Sequence, residues 1–363
     1  MKKFLFIQDH LRGGGAEQIC IDTAVGLSNK GYQVSVIILD SHEIRVHLPT
    51  SLNVFKLNIE SEFLSGSIKR NKLQYLSVSS QKQILDIINT VLPDTTIVGH
   101  SHSFWLSPLL NGNVWYWAHG DILGLHIKPT YNPIKKLEYL KKFLQCKKAC
   151  NILFNNKQLI TVNQDIADLV YKHTNARKVQ VIHNGINTIR LNYEHCTKKV
   201  WDTIFVGRLS EEKQVDIAIK AFAQSTLKGR MAVVGDGEYL TRLKKLVTQL
   251  NIEHRIDFLG WQQNPAHFIN CSKSLLLTSR TEGCPLIVSE SILIGVPVIA
   301  YNCSEGVSWQ LASGELFRGL VPLNSFSQLI DTLSNVVHHP YPITQQDQDR
   351  LKLNRMIEHF EVL

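Results

Sequence analysis

Two carboxylates in the segment from Leu275 to Pro297, Glu282 and Glu290, have a spacing that suits a ligand rich in hydroxyl and phosphate groups. The segment predicts a buried strand, a polar loop carrying Glu282, and a helix carrying Glu290 about two turns further on. The first N–H groups of a helix have no partner within it, so a strand, a tight loop and a helix start together form a natural anion site. A solvated helix with two surface glutamates fits the same pattern, and spacing does not separate the two interpretations.

Two cations, Arg208 and Lys213, follow another predicted strand, from Thr203 to Val206. Both side chains are expected near the carboxyl end of that strand. There a pair of cations suits a diphosphate better than either cation alone. A pair of exposed surface cations is the alternative interpretation.

Three consecutive glycines, Gly13 to Gly15, follow a predicted strand from Phe4 to Ile7 and precede a predicted helix. Because they have no Cβ atoms, Gly14 and Gly15 let the backbone approach a ligand closely. The loop lacks the third glycine of a dinucleotide fingerprint and the Gly-Lys-Ser/Thr of a P-loop, which argues against a nicotinamide dehydrogenase. A flexible turn between strand and helix is the alternative.

Three histidines, His100, His102 and His119, come directly after predicted strands, where ligand sites of open α/β sheets gather. A zinc site is disfavoured because no cysteine or carboxylate partner has a suitable spacing. His119 stands beside a glycine and close to Asp121, which suits a polar contact with a substrate. A structural histidine is the alternative.

A predicted helix over residues 134–148 carries six lysines and a single acidic residue, Glu138. Leu137, Leu140 and Leu144 form an apolar stripe at helical spacing, and we expect this stripe to face the core. The lysine face is a candidate for contact with anionic lipid headgroups. Nucleic acid competes for the same face, but no binding motif accompanies it, so no nucleic-acid partner is expected.

Length and composition indicate a two-domain globular chain. The 363 residues are 44% hydrophobic and 19% charged, and no apolar run approaches the roughly 20 residues of a membrane helix. The N-terminus reads as a buried strand and not as a signal peptide. Seven scattered cysteines predict a reduced, cytosolic chain, which we expect to sit peripherally on the inner face of the plasma membrane. Residues 1–200 carry a net charge of +10 and residues 201–363 one of −2, so one domain is expected to meet an anionic surface.

Strands alternate with helices in both halves of the chain, which predicts two α/β domains with parallel sheets. We place the first domain at residues 1–192, joined by a final helix over 345–363, and the second at 193–344. Asp347 and Asp349 imitate a metal-binding pair. Acids at a helix start are expected for dipole reasons alone, so no metal is assigned.

Six segments in this order resemble the family 4 retaining glycosyltransferases of the GT-B fold. They are GGGAE (13–17), VIHNGIN (181–187), VGRLSEEK (206–213), VVGDGE (233–238), TEGCPLIVSE (281–290) and GVPVIA (295–300). WAHGD and NCSEG are most similar to bacterial enzymes that build lipopolysaccharide or capsule from UDP-sugars. The resemblance implies two Rossmann-like domains facing across a cleft, with the last helix crossing back to the first domain.

The resemblance also implies roles for the second half of the chain. Arg208 and Lys213 would hold the donor diphosphate and stabilise the departing nucleotide. Glu290 would bind the ribose hydroxyls, and Glu282 would face the hydroxyls of the sugar. Backbone N–H groups would contact sugar and phosphate along the loop formed by Gly283, Cys284, Pro285 and Leu286.

In the first half, the resemblance implies that Gly14 and Gly15 let the domain close on the phosphates and that His119 contacts the donor sugar. Three positions depart from the common pattern, namely Cys284, His183 and Asn187. They stand beside the matching residues, so they bear on sugar preference more than on activity.

The sequence therefore predicts a retaining glycosyltransferase that moves a hexose or N-acetylhexosamine from a UDP-sugar to a lipid-linked saccharide acceptor. No cofactor or metal is expected, because Arg208 and Lys213 supply the countercharge. Two alternatives stay open: a GT-B-type nucleotide-sugar epimerase, and a non-catalytic basic module that binds saccharide or nucleic acid.

Overall fold

The computed structural model describes residues 1–59, 61–62, 76–99, 102–120 and 133–363, with the backbone alone at residues 133–135. The chain divides into two compact units. One consists of residues 1–183 and 356–363, and the other of residues 184–355. His100 and Asp121, two residues of the predicted histidine region, lie outside the described residues.

The first unit is built on a seven-stranded parallel sheet with the strand order β3-β2-β1-β4-β5-β6-β7. Its central strands are largely buried and mostly apolar, as expected for strands covered on both faces, with buried polar residues at Gln8, Asp9, Thr95 and Thr96. The strands are β1 (Lys3–Leu11), β2 (Gln33–Ile44), β3 (Asn53–Lys56), β4 (Thr95–Gly99), β5 (Val114–Ala118), β6 (Gln158–Thr161) and β7 (Lys178–Val181).

The helices of the first unit connect these strands. They are α1 (Gly15–Asn29), α2 (Val78–Val91), α3 (Pro133–Phe154) and α4 (Gln164–His173). Aromatic side chains fill the interior: Trp115, Tyr116 and Trp117 of β5 are buried, and Tyr116 lies edge-on to Phe154 at 5.9 Å between ring centres.

The second unit repeats the architecture with a six-stranded parallel sheet in the order β10-β9-β8-β11-β12-β13. The strands are β8 (Thr203–Val206), β9 (Met231–Val234), β10 (Ile256–Gly260), β11 (Leu275–Leu277), β12 (Val298–Asn302) and β13 (Leu320–Pro322). The helices are α5 (Val215–Gln224), α6 (Leu240–Gln249), α7 (Ala266–Asn270), α8 (Leu286–Ile294), α9 (Glu305–Gln310), α10 (Phe326–His338) and α11 (Gln345–Asp349). The predicted α/β class with two Rossmann-like parallel sheets is confirmed.

The end of the chain differs from the single helix predicted over residues 345–363. It forms α11 and then α12 (Leu353–Glu361), with a break between them. The break arises because Ile186 bridges to Lys352: the N–H of Ile186 donates to the carbonyl of Leu351, and the N–H of Leu353 donates to the carbonyl of Ile186. The last residues belong to the first unit, where Phe360 packs on Trp117 with ring centres 4.9 Å apart.

The unit boundaries at 183/184 and 355/356 lie away from the predicted boundaries at 192 and 345. Contacts within the second unit account for the difference. The side-chain amide of Asn184 donates to the carbonyl of Cys284 at 2.8 Å, and that of Gln348 donates to the carbonyls of Ile292 and Leu293.

One disulfide lies in the second unit and joins Cys196 to Cys271, which are 75 residues apart in sequence and 5.2 Å apart between Cα atoms. The expectation of reduced cysteines throughout is therefore wrong. Neither cysteine belongs to a short motif, so their pairing depends on the tertiary fold.

Candidate active site

The carboxyl ends of β8 and β11 bring the predicted cations and the first predicted carboxylate to one edge of the second sheet. β11 pairs with β8 in parallel, and therefore the loops that follow them emerge side by side. Arg208 and Lys213 lie in the loop after β8, and Glu282 lies in the loop after β11. These residues come from segments about 70 positions apart, so the parallel pairing of two strands builds the site.

Lys213 and Glu282 contact each other directly. The Nζ atom of Lys213 lies 2.7 Å from Oε1 of Glu282, and the side chains are 23% and 10% exposed. From the sequence, these residues were predicted to bind separate parts of the ligand, the diphosphate and the sugar. In the structure each is the partner of the other, so the two opposite charges compensate each other at this edge.

Thr278, which is not among the predicted site residues, fixes the turn that carries Lys213. Its hydroxyl is fully buried and lies 3.1 Å from the carbonyl oxygen of Lys213 and 2.9 Å from that of Gln214. Nearby, the backbone N–H of Arg280 donates to the carbonyl of Glu212 at 2.8 Å. The two loops are thus joined along their length.

Gln214 shows how tightly this turn is shaped, because it adopts a left-handed conformation with φ of 48°. An ordinary side chain seldom takes this conformation without support from its surroundings. The hydrogen bond from Thr278 to the Gln214 carbonyl supplies that support. The position of Lys213 therefore depends on β11 as well as on its own loop.

Helix α8 begins at Leu286, directly after the loop of residues 281–285, with Pro285 at its N-cap. Its first backbone N–H groups have no partner within the helix, and the positive end of the helix dipole favours an anion there. Glu290 lies one turn into α8 and is half-buried. The predicted contacts from the backbone of Gly283 to Leu286 fall at this helix start.

Cys284 is buried in this loop, and burial raises the pKa of its thiol to about 12. The thiol stays protonated at neutral pH and is not a nucleophile. Any contribution of Cys284 to the predicted site would therefore come from its backbone and not from its thiol.

In the first unit, the glycine-rich loop after β1 is held by hydrogen bonds to the carboxylate of Glu17. The backbone N–H groups of Gly13 and Gly14 donate to Oε2 of Glu17 at 2.7 and 2.6 Å, and Glu17 is buried. Gly14 is the N-cap of α1, and a Cβ added there would lie 3.0 Å from the Glu17 carboxylate. Gly15, the first residue of α1, is exposed. Glu17 thus holds the loop in shape, and a side chain at Gly14 would crowd this carboxylate.

The two described histidines of the first unit are in different surroundings. His119 follows β5, is half-buried and packs on Trp117 with ring centres 4.4 Å apart. His102 donates its backbone N–H to Asp9 at 2.7 Å, and its ring Nδ1 lies 3.5 Å from the same carboxylate. Asp9 also accepts from the backbone N–H of Ser103, so this buried acid fixes the turn after β4.

The leucine stripe of the lysine-rich helix α3 does not face the core, contrary to the prediction. Leu137, Leu140 and Leu144 were predicted to face the core, but their side chains are 53%, 45% and 56% exposed. The helix packs through its C-terminal part, where Ala149, Cys150, Leu153 and Phe154 are buried. Among the described side chains of α3, the buried ones lie in this C-terminal part, and the three leucines share the exposed surface with the lysines.

A groove of about 630 Å³ lies beside the C-terminal half of α3. It is lined by two lysines, two apolar residues and three asparagines: Lys147, Lys148, Leu144, Ile152, Asn151, Asn155 and Asn175.

Among the described residues, no group of histidine, cysteine and acidic side chains is arranged to hold a metal ion. Within the same residues, none of the helices is both long and apolar enough to cross a membrane.

Comparison with known proteins covers both units. Residues 13–190 match the family profile described as Glycosyltransferase Family 4, and residues 194–352 match the profile described as Glycosyl transferases group 1. An uncharacterized glycosyltransferase of Haemophilus influenzae is 26% identical over 97% of this chain and 95% of its own length. The lipopolysaccharide 1,6-galactosyltransferase of Escherichia coli is 33% identical over 28% of this chain and 30% of its own length. The crystal structure of Anabaena HepE with UDP and glucose superimposes with a TM-score of 0.72 at 17% identity, over 100% of this chain and 99% of that one.

Proposed function

The chain belongs to the family 4 glycosyltransferases of the GT-B fold, and on that basis we propose that it transfers a hexose or N-acetylhexosamine from a UDP-sugar, with retention, to a lipid-linked saccharide acceptor. The observation that carries the proposal is the ion pair of Lys213 with Glu282, in which Glu282 precedes the start of α8 by four residues and Lys213 shares its loop with Arg208. Cations and a helix N-terminus suit a diphosphate, while a carboxylate suits sugar hydroxyls. Relatives named for lipopolysaccharide synthesis support the choice of acceptor class.

Donor binding would exchange the partners of the Lys213–Glu282 pair. A diphosphate carries more negative charge than one carboxylate, so it competes for the ammonium group that lies 2.7 Å from Glu282. Glu282 is then released to accept hydrogen bonds from the sugar. The pair keeps both charges compensated before the donor arrives, and this lowers the cost of holding them at a partly buried edge.

The chemical step would rest on stabilising the departing nucleotide. The bond between the sugar C1 and the β-phosphate oxygen breaks, and the acceptor hydroxyl forms its bond to C1 on the same face. The hydroxyl proton passes to the departing phosphate oxygen. Arg208, Lys213 and the N–H groups at the start of α8 face the charge that develops on that phosphate, where preorganised donors have their largest effect.

The membrane part of the proposal rests on α3. Its exposed leucines would enter the headgroup region while neighbouring lysines contact anionic lipids, an arrangement typical of helices that lie in a membrane interface. A buried leucine contributes about 2 kcal/mol and a lysine near the surface about 1 kcal/mol. The exposure of the stripe therefore adds an apolar component to the electrostatic attraction.

Binding and product analysis test the catalytic proposal. We expect UDP to bind more tightly than GDP or ADP in calorimetry, and the transferred sugar to keep its anomeric configuration by NMR, with activity unaffected by EDTA. An inverted product would contradict retention. Conversion of the UDP-sugar without an acceptor would identify an epimerase, and the absence of any nucleotide binding would indicate a non-catalytic module.

Vesicle sedimentation tests the membrane proposal. With 30% phosphatidylglycerol vesicles, replacing Lys141, Lys142, Lys147 and Lys148 by glutamine should weaken binding and reduce its dependence on salt. Replacing Leu137 and Leu140 by serine should weaken binding equally at low and high salt. Binding that is unchanged in both variants would refute a role for α3.

A further inference from the structure

We infer that Asn184, Ser304 and Gln310 are positioning residues that set the backbone orientation of the 281–285 loop. The inference rests on the proposed function, since it assigns the origin of the N–H groups that meet the donor. The three side chains come from two segments of the second unit: Asn184 from the chain before β8, and Ser304 and Gln310 from the N-cap and the last residue of α9. Each reaches a different carbonyl of the loop.

The hydrogen bonds cover three consecutive carbonyls. The hydroxyl of Ser304 donates to the carbonyl of Gly283 at 3.3 Å, and the amide of Asn184 donates to that of Cys284 at 2.8 Å. The amide of Gln310 donates to the carbonyl of Pro285 at 2.8 Å. Side chains thus hold every carbonyl from residue 283 to residue 285.

Peptide planarity converts these contacts into an orientation of N–H groups. In a trans peptide the C=O of one residue and the N–H of the next point in opposite directions. When Ser304 draws in the Gly283 carbonyl, the N–H of Cys284 is turned outward. When Gln310 draws in the Pro285 carbonyl, the N–H of Leu286 is turned outward. The middle peptide has no N–H because its nitrogen belongs to proline.

Two of these three hydrogen bonds come from buried side chains and are therefore shielded from competition by water. Asn184 is 6% exposed and Gln310 is fully buried, so neither amide can replace its loop partner with water. Gln310 also donates to the hydroxyl of Ser289 in α8 at 2.7 Å, which ties the first turn of that helix to the same side chain. The N–H groups of Cys284 in the loop and of Leu286 at the start of α8 are therefore fixed before any ligand binds, as anion stabilisation requires.

Gln310→Met tests the inference, with Gln348→Met as the matched control. Gln348 is also a side-chain amide that donates to carbonyls of α8, but at the opposite end, Ile292 and Leu293, both at 3.1 Å. We expect Gln310→Met to raise the Kd of UDP and the KM of the sugar donor by roughly 3- to 10-fold, the effect of one hydrogen bond. Gln348→Met should lower the melting temperature to a similar extent and leave the Kd of UDP within twofold of the wild type.

Hydrogen–deuterium exchange of the free protein separates this inference from the proposed function. The peptide covering residues 281–290 should exchange faster in Gln310→Met and Asn184→Leu than in Gln348→Met. If exchange of this peptide is unchanged, or if both glutamine variants weaken UDP binding equally, the positioning role is refuted. If the wild type binds no nucleoside diphosphate, the proposed function fails, while the exchange data still decide whether these side chains order the loop.

Discussion

Gly306 offers a direct test of whether the backbone of the 281–285 loop controls turnover. It lies in α9, and a Cβ added there would be 2.0 Å from the carbonyl oxygen of Gly283 and 3.1 Å from the Cα of Cys284. Carbon and oxygen atoms that are not bonded approach to about 3.3 Å. Gly306→Ala must therefore separate α9 and the loop by about 1 Å.

The expected effect on activity is much larger than the effect on stability. Overpacking costs about 1–3 kcal/mol, and about 1 kcal/mol is recovered because alanine favours a helix over glycine. The variant should fold with at most about 2 kcal/mol less stability. A displacement of about 1 Å in a group that positions substrate lowers the rate by about 100-fold. We expect kcat/KM for the sugar donor to fall by that factor.

Gly319→Ala is the matched control for this prediction. Its added Cβ would be 1.8 Å from the carbonyl oxygen of Val298, at the amino end of β12 and thus at the opposite edge of the sheet. Both variants should lose similar stability in urea denaturation, but Gly319→Ala should keep donor kcat/KM within a few fold. The reasoning is refuted if Gly306→Ala turns over the donor at the wild-type rate, or if Gly319→Ala is impaired as much.

Two further predictions concern side chains of the same site. Lys213→Met should lower kcat/KM by about 100- to 1000-fold in a transfer assay, as loss of a preorganised donor does. Lys213→Met leaves Glu282 without its ion-pair partner, so adding Glu282→Gln to this variant should raise its melting temperature. Full activity of the Lys213→Met variant would contradict the assignment of Lys213 to the donor diphosphate. Burial raises the pKa of Cys284 to about 12, above the value of 9.0 for a free thiol. The folded state therefore holds this proton more tightly, and the stabilisation present below pH 9 is lost as the pH rises toward 12. Urea denaturation at pH 8, 9.5 and 11 should show this decline, with a smaller slope in Cys284→Ala, and equal slopes would refute the cause.

Local sequence determined the elements and their chemistry. Apolar runs such as Leu275–Leu277 and Val298–Ala300 become central strands because apolar residues suit a sheet covered on both faces. Gly295 ends α8 because the chain there adopts a φ of 84°, which glycine takes without strain. The order of motifs was sufficient to identify the family.

Helical spacing did not reveal which side of α3 is covered. Periodicity places Leu137, Leu140 and Leu144 on one face, but a face is buried only if another element packs against it. In α3 the three leucines are exposed, and the buried residues among those described lie nearer its C-terminal end. The same limit explains the break before α12, where a bridge to Ile186 overrides a continuous helical pattern.

The sequence by itself determined that this is a GT-B glycosyltransferase, and it predicted a donor site at Arg208, Lys213, Glu282 and Glu290. Only the tertiary structure decided which residues contact each other. Lys213 pairs with Glu282, and Thr278 hydrogen-bonds to the turn that carries Lys213. The loop carbonyls accept hydrogen bonds from Asn184, Ser304 and Gln310. The reason is physical. Local pattern fixes backbone type and side-chain chemistry, whereas hydrogen bonds between residues 20 to 100 positions apart exist only after parallel strands bring their carboxyl ends to one edge.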